Sequence, residues 1–320
     1  MNTTMITTIT SITTTNSGLV YMDVLTRSAA LACIALTSIA PAHALELRYG
    51  SGDFDMGAAA KPFVSMDTSL EVDTWTLAEP HRNINGSPLY YQFRADYFDS
   101  DTVNQMTDLA SVPLTTSLPV IGSSVTDLIA DNTAIPVPAD YRIHGVNLDV
   151  GVGYDVLKTA RGHVGVGVNT GVSTPFMKVR NALPAANLAL KMLDTFDTEV
   201  TTYKAGVAVQ GSYQATPWLE VAGNASLNHQ TGEMDNGWVG SGIDIDGTYR
   251  TLEVEAKLKP AKLLNQPQLK NAFVSIGHSR SDWDYDSAAI NTPIGSASVP
   301  GMFDADFAHD STWIGAGYDF

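Results

Sequence analysis

The sequence predicts an all-β fold: a transmembrane, antiparallel, up-and-down β-barrel of about ten strands, with short helical segments in long outer loops. Three observations predict it. Apolar residues alternate with small or polar ones, as in strands with one face toward lipid and the other toward a lumen. No run after residue 44 approaches the roughly 18 consecutive apolar residues of a membrane-spanning helix. The connections between alternating runs switch regularly between short and long.

The last alternating run carries the clearest family signal. Residues 312–320 place Ile314, Tyr318 and Phe320 on one apolar face, opposite residues that are mostly small or polar. This run resembles the final strand of bacterial outer-membrane β-barrels, in which a terminal aromatic residue is the assembly signal. The resemblance implies a porin-like Gram-negative outer-membrane protein. It further implies that Tyr318 and Phe320 are read by the barrel assembly machinery, and that lipid and lipopolysaccharide surround the protein.

The residues before position 45 predict an export leader with an unusual preface. Residues 1–21 are rich in threonine and uncharged, and we expect them to be a mis-started, non-structural leader. Residues 22–44 have the order of a signal peptide, with Arg27, an apolar stretch and a small-x-small cleavage site. Residues 45–320 are then the predicted outer-membrane barrel. Cys33 falls within the signal peptide, so we expect no disulfide in the barrel.

The strands follow from the alternation itself. Residues 146–156 place valine, leucine and tyrosine on one side and glycine, asparagine and aspartate on the other. Residues 164–173 repeat the pattern after a short link, which predicts a hairpin. Similar alternation occurs in residues 89–98, 203–210, 219–228, 252–259 and 271–278, and more weakly in 45–49 and 69–77.

The connections fall into two classes. We expect short periplasmic turns at residues 80–88, 157–163, 215–218 and 260–270. We expect long outer loops at residues 50–67, 100–140, 174–201, 230–246 and 285–310. Within the second loop, Val103, Met106 and Leu109 have helical spacing, as do residues 125–129; residues 185–193 form a similar segment. These segments are predicted to cap or plug the barrel.

One strand changes parity. In residues 272–286 the apolar set is Val274 and Ile276 at first but Trp283 and Tyr285 later. Either a β-bulge lies near Gly277 or the outer loop has already begun.

Ionisable residues on the polar faces are the candidate lumen lining. Parity assigns Glu46 and Arg48 to this set and, in a weak run, Glu71 and Asp73. Two interpretations stay open: they line water in a pore, or they form a structural ion-pair network. The principal candidates are Arg94, Asp96, Asp149, Lys204, Glu220, Glu253, Glu255 and Lys257.

A candidate calcium site lies in the presumed outer loops. Asp282, Asp284 and Asp286 alternate, as do carboxylates in other loops. Such oxygens suit Ca²⁺, but a solvated acidic rim is the favoured explanation, because an open loop lacks the preorganised oxygens that Ca²⁺ prefers.

Composition and motifs limit the function. A net charge of −16 and a pI near 4.6 exclude nucleic acid as a partner. No hydrolase elbow, zinc-protease helix or phosphate loop occurs, and the histidines show no metal-ligand spacing, so we expect neither enzyme activity nor a cofactor. The leading hypothesis is a narrow passive channel or transport barrel. The alternative is a surface adhesion or structural barrel acting through acidic outer loops, with an outer-membrane hydrolase less favoured.

Overall fold

The computed structural model describes residues 44–60, 64–109, 135–181, 197–236, 243–292, 295–298 and 303–319, and nearly all of them are in strands. In chain order the strands are β1 (Ala44–Ala60), β2 (Val64–Asn83), β3 (Leu89–Ser100), β4 (Val103–Leu109), β5 (Ile135–Thr159), β6 (Gly162–Asn181), β7 (Thr198–Thr216), β8 (Leu219–Asn236), β9 (Ile243–Leu258), β10 (Ala272–Thr292), β11 (Gly295–Ser298) and β12 (Phe303–Asp319).

The strands close into an antiparallel barrel with ten strand positions around its ring, each here called a stave. Neighbours in sequence pair with one another, and β12 pairs with both β10 and β1, which completes the ring. Strands β3 and β4 form one stave interrupted at residues 101–102, while β11 pairs with the end of β10. The predicted all-β, antiparallel barrel of about ten strands is confirmed. Full closure satisfies the backbone hydrogen bonds of every stave, as a lipid environment demands.

Short connections gather at one end of the barrel, here called the turn end. They are residues 84–88, 160–161, 217–218 and 259–271, the last holding helix α1 (Pro260–Leu263) and a 3₁₀ turn (Pro267–Leu269). In the first, Asn85 and Gly86 have φ values of 52° and 72°, the left-handed conformations that tighten a hairpin turn. The first and last barrel strands also meet here, with Ala44 opposite Asp319. None of the helical segments that the structure describes could span a bilayer.

An apolar belt surrounds the half of the barrel nearest the turn end. Outward tyrosines and one tryptophan border it in two girdles. The lower girdle, on the side of the turn end, holds Tyr154, Tyr213 and Tyr318, and the upper girdle, on the opposite side, holds Tyr49, Trp75, Tyr97 and Tyr203. Tyr203 and Tyr213 are ten residues apart on β7, roughly 25 Å along the axis of a tilted strand. That height and the aromatic girdles are those of an outer-membrane barrel, and the protein is located in that membrane. The belt between the girdles includes Leu45, Leu47, Val150, Val152, Val166, Val168, Val207, Val209, Val221, Leu227, Leu252, Val254, Val274, Ile276 and Ile314.

Beyond the belt the two faces of the wall exchange polarity. On β1 the outward side chain changes from Leu47 to Asp53, while the inward side chains change from Arg48 to Phe54 and Met56. The strands therefore leave the membrane and continue into solvent, with polar residues outside and apolar residues inside as in a soluble barrel. This far end, opposite the turn end, is called the loop end.

The polarity exchange explains the parity change on β10. Its register with β9 is continuous from Val274 to Tyr285, and the shift lies after Tyr285. A bulge near Gly277 is therefore wrong, and so is the alternative that the outer loop begins there, because β10 continues to Thr292. Along this regular strand the apolar side chains lie on the lipid face at Val274 and Ile276 and in the interior at Trp283 and Tyr285.

Much of the sequence expected to form long loops is strand. Residues 50–67 are nearly all within β1 and β2, because their alternation continues with inverted polarity. The helix expected around Val103–Leu109 is also wrong: this segment is β4, which supplies β5 with backbone partners along Ile135–Tyr141. The other helical expectations, residues 125–129 and 185–193, lie outside the described residues.

Candidate functional site

The loop end is filled by a continuous apolar core. Phe54 stacks on Phe98 with ring centroids 5.5 Å apart, and Tyr249 lies 5.1 Å from Trp283. Trp283 on β10 donates its indole N–H to Ser173 Oγ on β6 at 3.2 Å, a bond between staves four places apart in the ring. The loop-end core comprises Phe54, Met56, Leu70, Val72, Phe98, Ala139, Tyr141, Ile143, Met177, Val179, Val200, Met234, Ile243, Ile245, Tyr249, Trp283, Tyr285 and Phe307.

Beneath this core, at the level of the belt, lies a charged network centred on Arg48. Its guanidinium donates to Glu253 at 2.9 Å, Glu46 at 3.1 Å and Glu255 at 3.2 Å. Glu253 also accepts from Arg94. Arg94 is on β3 and Glu253 on β9, five places apart in a ring of ten, so this contact joins diametrically opposite walls. The network thus crosses the lumen.

A second buried cation lies between the network and the core. Lys204 Nζ is 3.0 Å from Asp149 Oδ1 and bonds Asn147, and it sits 3.8 Å from the centroid of the Tyr249 ring. Asn147 donates to Tyr249 Oη at 3.1 Å. The polar and apolar layers are therefore linked by direct contacts.

Two small cavities lie in the interior of the described barrel. One of about 190 Å³ lies toward the turn end beside Glu255, Lys257 and His163. Another of about 50 Å³ lies between Arg94 and Tyr249. A larger apolar concavity, about 940 Å³, is lined by belt residues such as Val152 and Val207 and faces lipid.

The eight principal lumen candidates all lie on inward faces and are mostly engaged with one another. Lys257 lies 3.4 Å from Glu255, Asp96 pairs with Arg94 at 2.8 Å, and Glu220 accepts from Lys259 at 2.8 Å near the turn end.

Two residues of the wider set point the other way. Glu71 and Asp73 face outward above the belt, so their assignment to the lumen is wrong. The even-numbered residues of β2 face inward, so these two odd-numbered residues lie on the outer surface. There they accept hydrogen bonds from Ser51 and Tyr49 of β1.

The aspartates proposed for calcium lie on β10. Asp282 and Asp284 point outward, and Asp282 is 2.9 Å from Arg280 Nη2; the side chain of Asp286 lies outside the described residues. Calcium binding there stays a prediction. Of the two residues of the assembly signal, Tyr318 points into the lower girdle with Leu45 and Ala272 opposite it, and Phe320 lies outside the described residues.

The histidines are not scattered as expected. His81 and His163 approach one another at the turn end, together with Asp155. His309 lies in the loop-end core against Phe54 and receives or donates a hydrogen bond at Thr74 Oγ1, 3.2 Å away. Burial lowers the pKa of His309 to about 4, so it is neutral at pH 7 and adds no charge to that core.

No protein-family model matches the sequence, and no curated protein matches it. Among solved structures, the outer membrane protease OmpT from Escherichia coli matches with a TM-score of 0.46 and 8% identity, covering 88% of this chain and 99% of that one. The translocator domain of the autotransporter NalP from Neisseria meningitidis matches with a TM-score of 0.32 and 13% identity over 95% and 98%. The toluene transporter TodX from Pseudomonas putida matches with 0.29 and 9% over 89% and 91%. These low scores and identities carry no argument about activity.

Proposed function

We propose that the protein is a closed surface barrel, which anchors an acidic loop end outside the membrane for contact with a partner and does not conduct solutes. The observation that carries this is the filling of the lumen at two levels. The Arg94–Glu253 contact joins opposite walls within the membrane, and the loop-end core fills the barrel above it. Hydrated solutes need a continuous polar path, which a packed aromatic core interrupts.

The outer wall of the loop end supports a role at the surface. Its outward carboxylates outnumber its outward cations, which are Arg142, Lys178, Arg180, Arg250 and Arg280. A surface of one sign attracts partners of the opposite sign, so the proposed partner carries a basic surface. The carboxylates, here called the acidic collar, are Asp53, Asp55, Glu71, Asp73, Asp99, Asp101, Asp140, Glu199, Glu233, Asp235, Asp244, Asp246, Asp282, Asp284, Asp306 and Asp310.

Planar-bilayer recording tests the closed state. We expect the purified, folded protein to show no stable conductance steps, because the described side chains of the network and the loop-end core fill the lumen. In a second arm, proteoliposomes should capture polylysine at low salt and release it as ionic strength rises, since screening weakens attraction by the acidic collar.

Glu253→Gln and Glu233→Gln form a matched pair for the recording. Glu253→Gln removes a carboxylate inside the barrel, and Glu233→Gln removes a carboxylate on the outer wall. Discrete steps in the wild type whose ion selectivity changes with Glu253→Gln but not with Glu233→Gln would establish a pore and overturn the proposal.

A further inference from the structure

Two histidines and an aspartate converge inside the turn end of the barrel. His81 is on β2, Asp155 on β5 and His163 on β6, and one ligand atom from each lies within 4.8 Å of the others. His81 Nε2 is 2.9 Å from Asp155 Oδ1, and the two imidazole rings stack with centroids 3.8 Å apart. The Asp155 side chain is fully buried. No other group of three such residues among the described side chains meets the same distance limit.

Irregularities in the strands bring these side chains together. The pairing of β2 with β3 shifts register between Glu79 and Arg82, and the pairing of β5 with β6 shifts between Asp155 and Leu157. Before this shift the odd-numbered residues of β2 point outward, and after it His81 and Asn83 point toward the lumen. Bulges redirect single side chains in this way, often next to functional sites.

Further side chains orient the cluster. Asn83 donates to the second carboxylate oxygen of Asp155 at 2.7 Å, leaving Oδ1 directed at His81. Ser212 Oγ lies 3.1 Å from His163 Nδ1, which leaves Nε2 of that ring as the ligand atom when Nδ1 carries the proton. Metal-binding histidines and carboxylates are commonly held by such outer hydrogen bonds.

We propose that His81, Asp155 and His163 form a binding site for a first-row transition-metal dication, with Zn²⁺ as the best-suited ion. Two imidazole nitrogens with one carboxylate are a ligand set of catalytic and exchangeable zinc sites, whereas Ca²⁺ and Mg²⁺ prefer oxygen alone. In tetrahedral coordination the ligand atoms lie about 3.3 Å apart, given bonds of about 2.0 Å. The His81–Asp155 distance is already close to this, and side-chain rotation brings His163 in.

The fourth coordination position is open to water or a small ligand. The cavity of about 190 Å³ is lined by both histidines and by Glu220, so it provides room beside the three ligand atoms. Lys158 lies 3.9 Å from Asp155, but its side chain is about half exposed, so solvent screens its charge. The site lies at the turn end, where we expect the short periplasmic turns.

Metal titration of the full-length protein, purified from outer membranes and stripped with chelator, tests the site. Equilibrium dialysis should give one Zn²⁺ per chain, and Co²⁺ should produce the intense visible bands of tetrahedral coordination. His81→Gln and His163→Gln should each weaken Zn²⁺ binding by more than 100-fold, since loss of an outer partner alone costs about 10–100-fold. Ser212→Ala, which retains all three ligands, should fall in that lower range.

His229→Gln is the matched control. His229 lies 3.9 Å from Asp246 on the exposed outer wall, and the described part of the chain places no third ligand beside this pair, so its loss should leave the affinity unchanged. Absence of stoichiometric Zn²⁺ binding in the wild type would overturn the proposal and reduce the cluster to a hydrogen-bonded histidine–aspartate pair. Wild-type affinity in His163→Gln, or an equal loss in His229→Gln, would overturn it as well.

Discussion

Replacing Arg48 with methionine should lower the free energy of unfolding by roughly 3–5 kcal/mol. The guanidinium is 2% exposed and donates to three carboxylates, Glu46, Glu253 and Glu255. Methionine fills a similar volume but removes the central cation, so the three buried carboxylates share only Lys257 and Arg94. Buried charge that is not fully compensated costs more than the ion pairs contributed. Urea unfolding of the protein in lipid vesicles, followed by tryptophan fluorescence, measures the change.

Arg142→Met is the matched control. Arg142 also makes a short ion pair, 2.7 Å to Asp99, but it lies on the outer wall with 48% of its side chain exposed. Its loss should cost less than about 1 kcal/mol, because exposed ion pairs contribute little. Similar losses for the two variants would show that the interior is hydrated rather than packed.

Val207→Arg should destabilise the folded barrel by about 2–4 kcal/mol. Val207 is on the outward face of β7, between the girdle residues Tyr203 and Tyr213, and 59% of it is exposed. That exposure is toward lipid, where a guanidinium loses its hydration. The same unfolding assay in vesicles gives the value.

Thr201→Arg on the same strand and the same face is the control. Thr201 lies above the upper girdle and pairs in register with Glu233, so an arginine there remains in water beside a carboxylate. A change below about 1 kcal/mol is expected near the interface. Equal destabilisation at both positions would place the membrane elsewhere on the barrel.

The sequence predicted the membrane half of the fold well. Within residues 146–156 one face is apolar and the other is small or polar. Because side chains on a strand alternate with a period of two, the same pattern also determines which of them meet lipid. The structure places Arg94, Asp149, Lys204 and Glu253 on the inward face that this parity predicts. What parity does not reveal is the partner of each charge, since contacts such as Arg94–Glu253 depend on closure of the ring.

The loop end was predicted poorly because its polarity is inverted. Asp53 and Asp55 were interpreted as loop carboxylates, yet they are the outward residues of β1, with Phe54 and Met56 inward. The same inversion on β10 was taken for a possible bulge. An alternating run with its apolar face turned inward indicates a strand that has left the membrane.

The spacing of residues along the sequence does not predict the histidine cluster. Its members are far apart along the chain and meet only because β2, β5 and β6 close into a ring with register shifts beside His81 and Asp155.

Thiol labelling of three positions on β10 tests the central claim, that the strands leave the membrane with inverted faces and a packed interior. In a Cys33→Ser background, a membrane-impermeant maleimide is applied to intact cells carrying Ile276→Cys, Ser281→Cys or Asp282→Cys. Asp282, 37% exposed on the outer wall, should label, whereas Ser281, 6% exposed inside, and Ile276 in the apolar belt should not. Labelling of Ser281→Cys as fast as Asp282→Cys would reveal a water-filled interior, and labelling of Ile276→Cys would place the belt outside the membrane; either result contradicts the account.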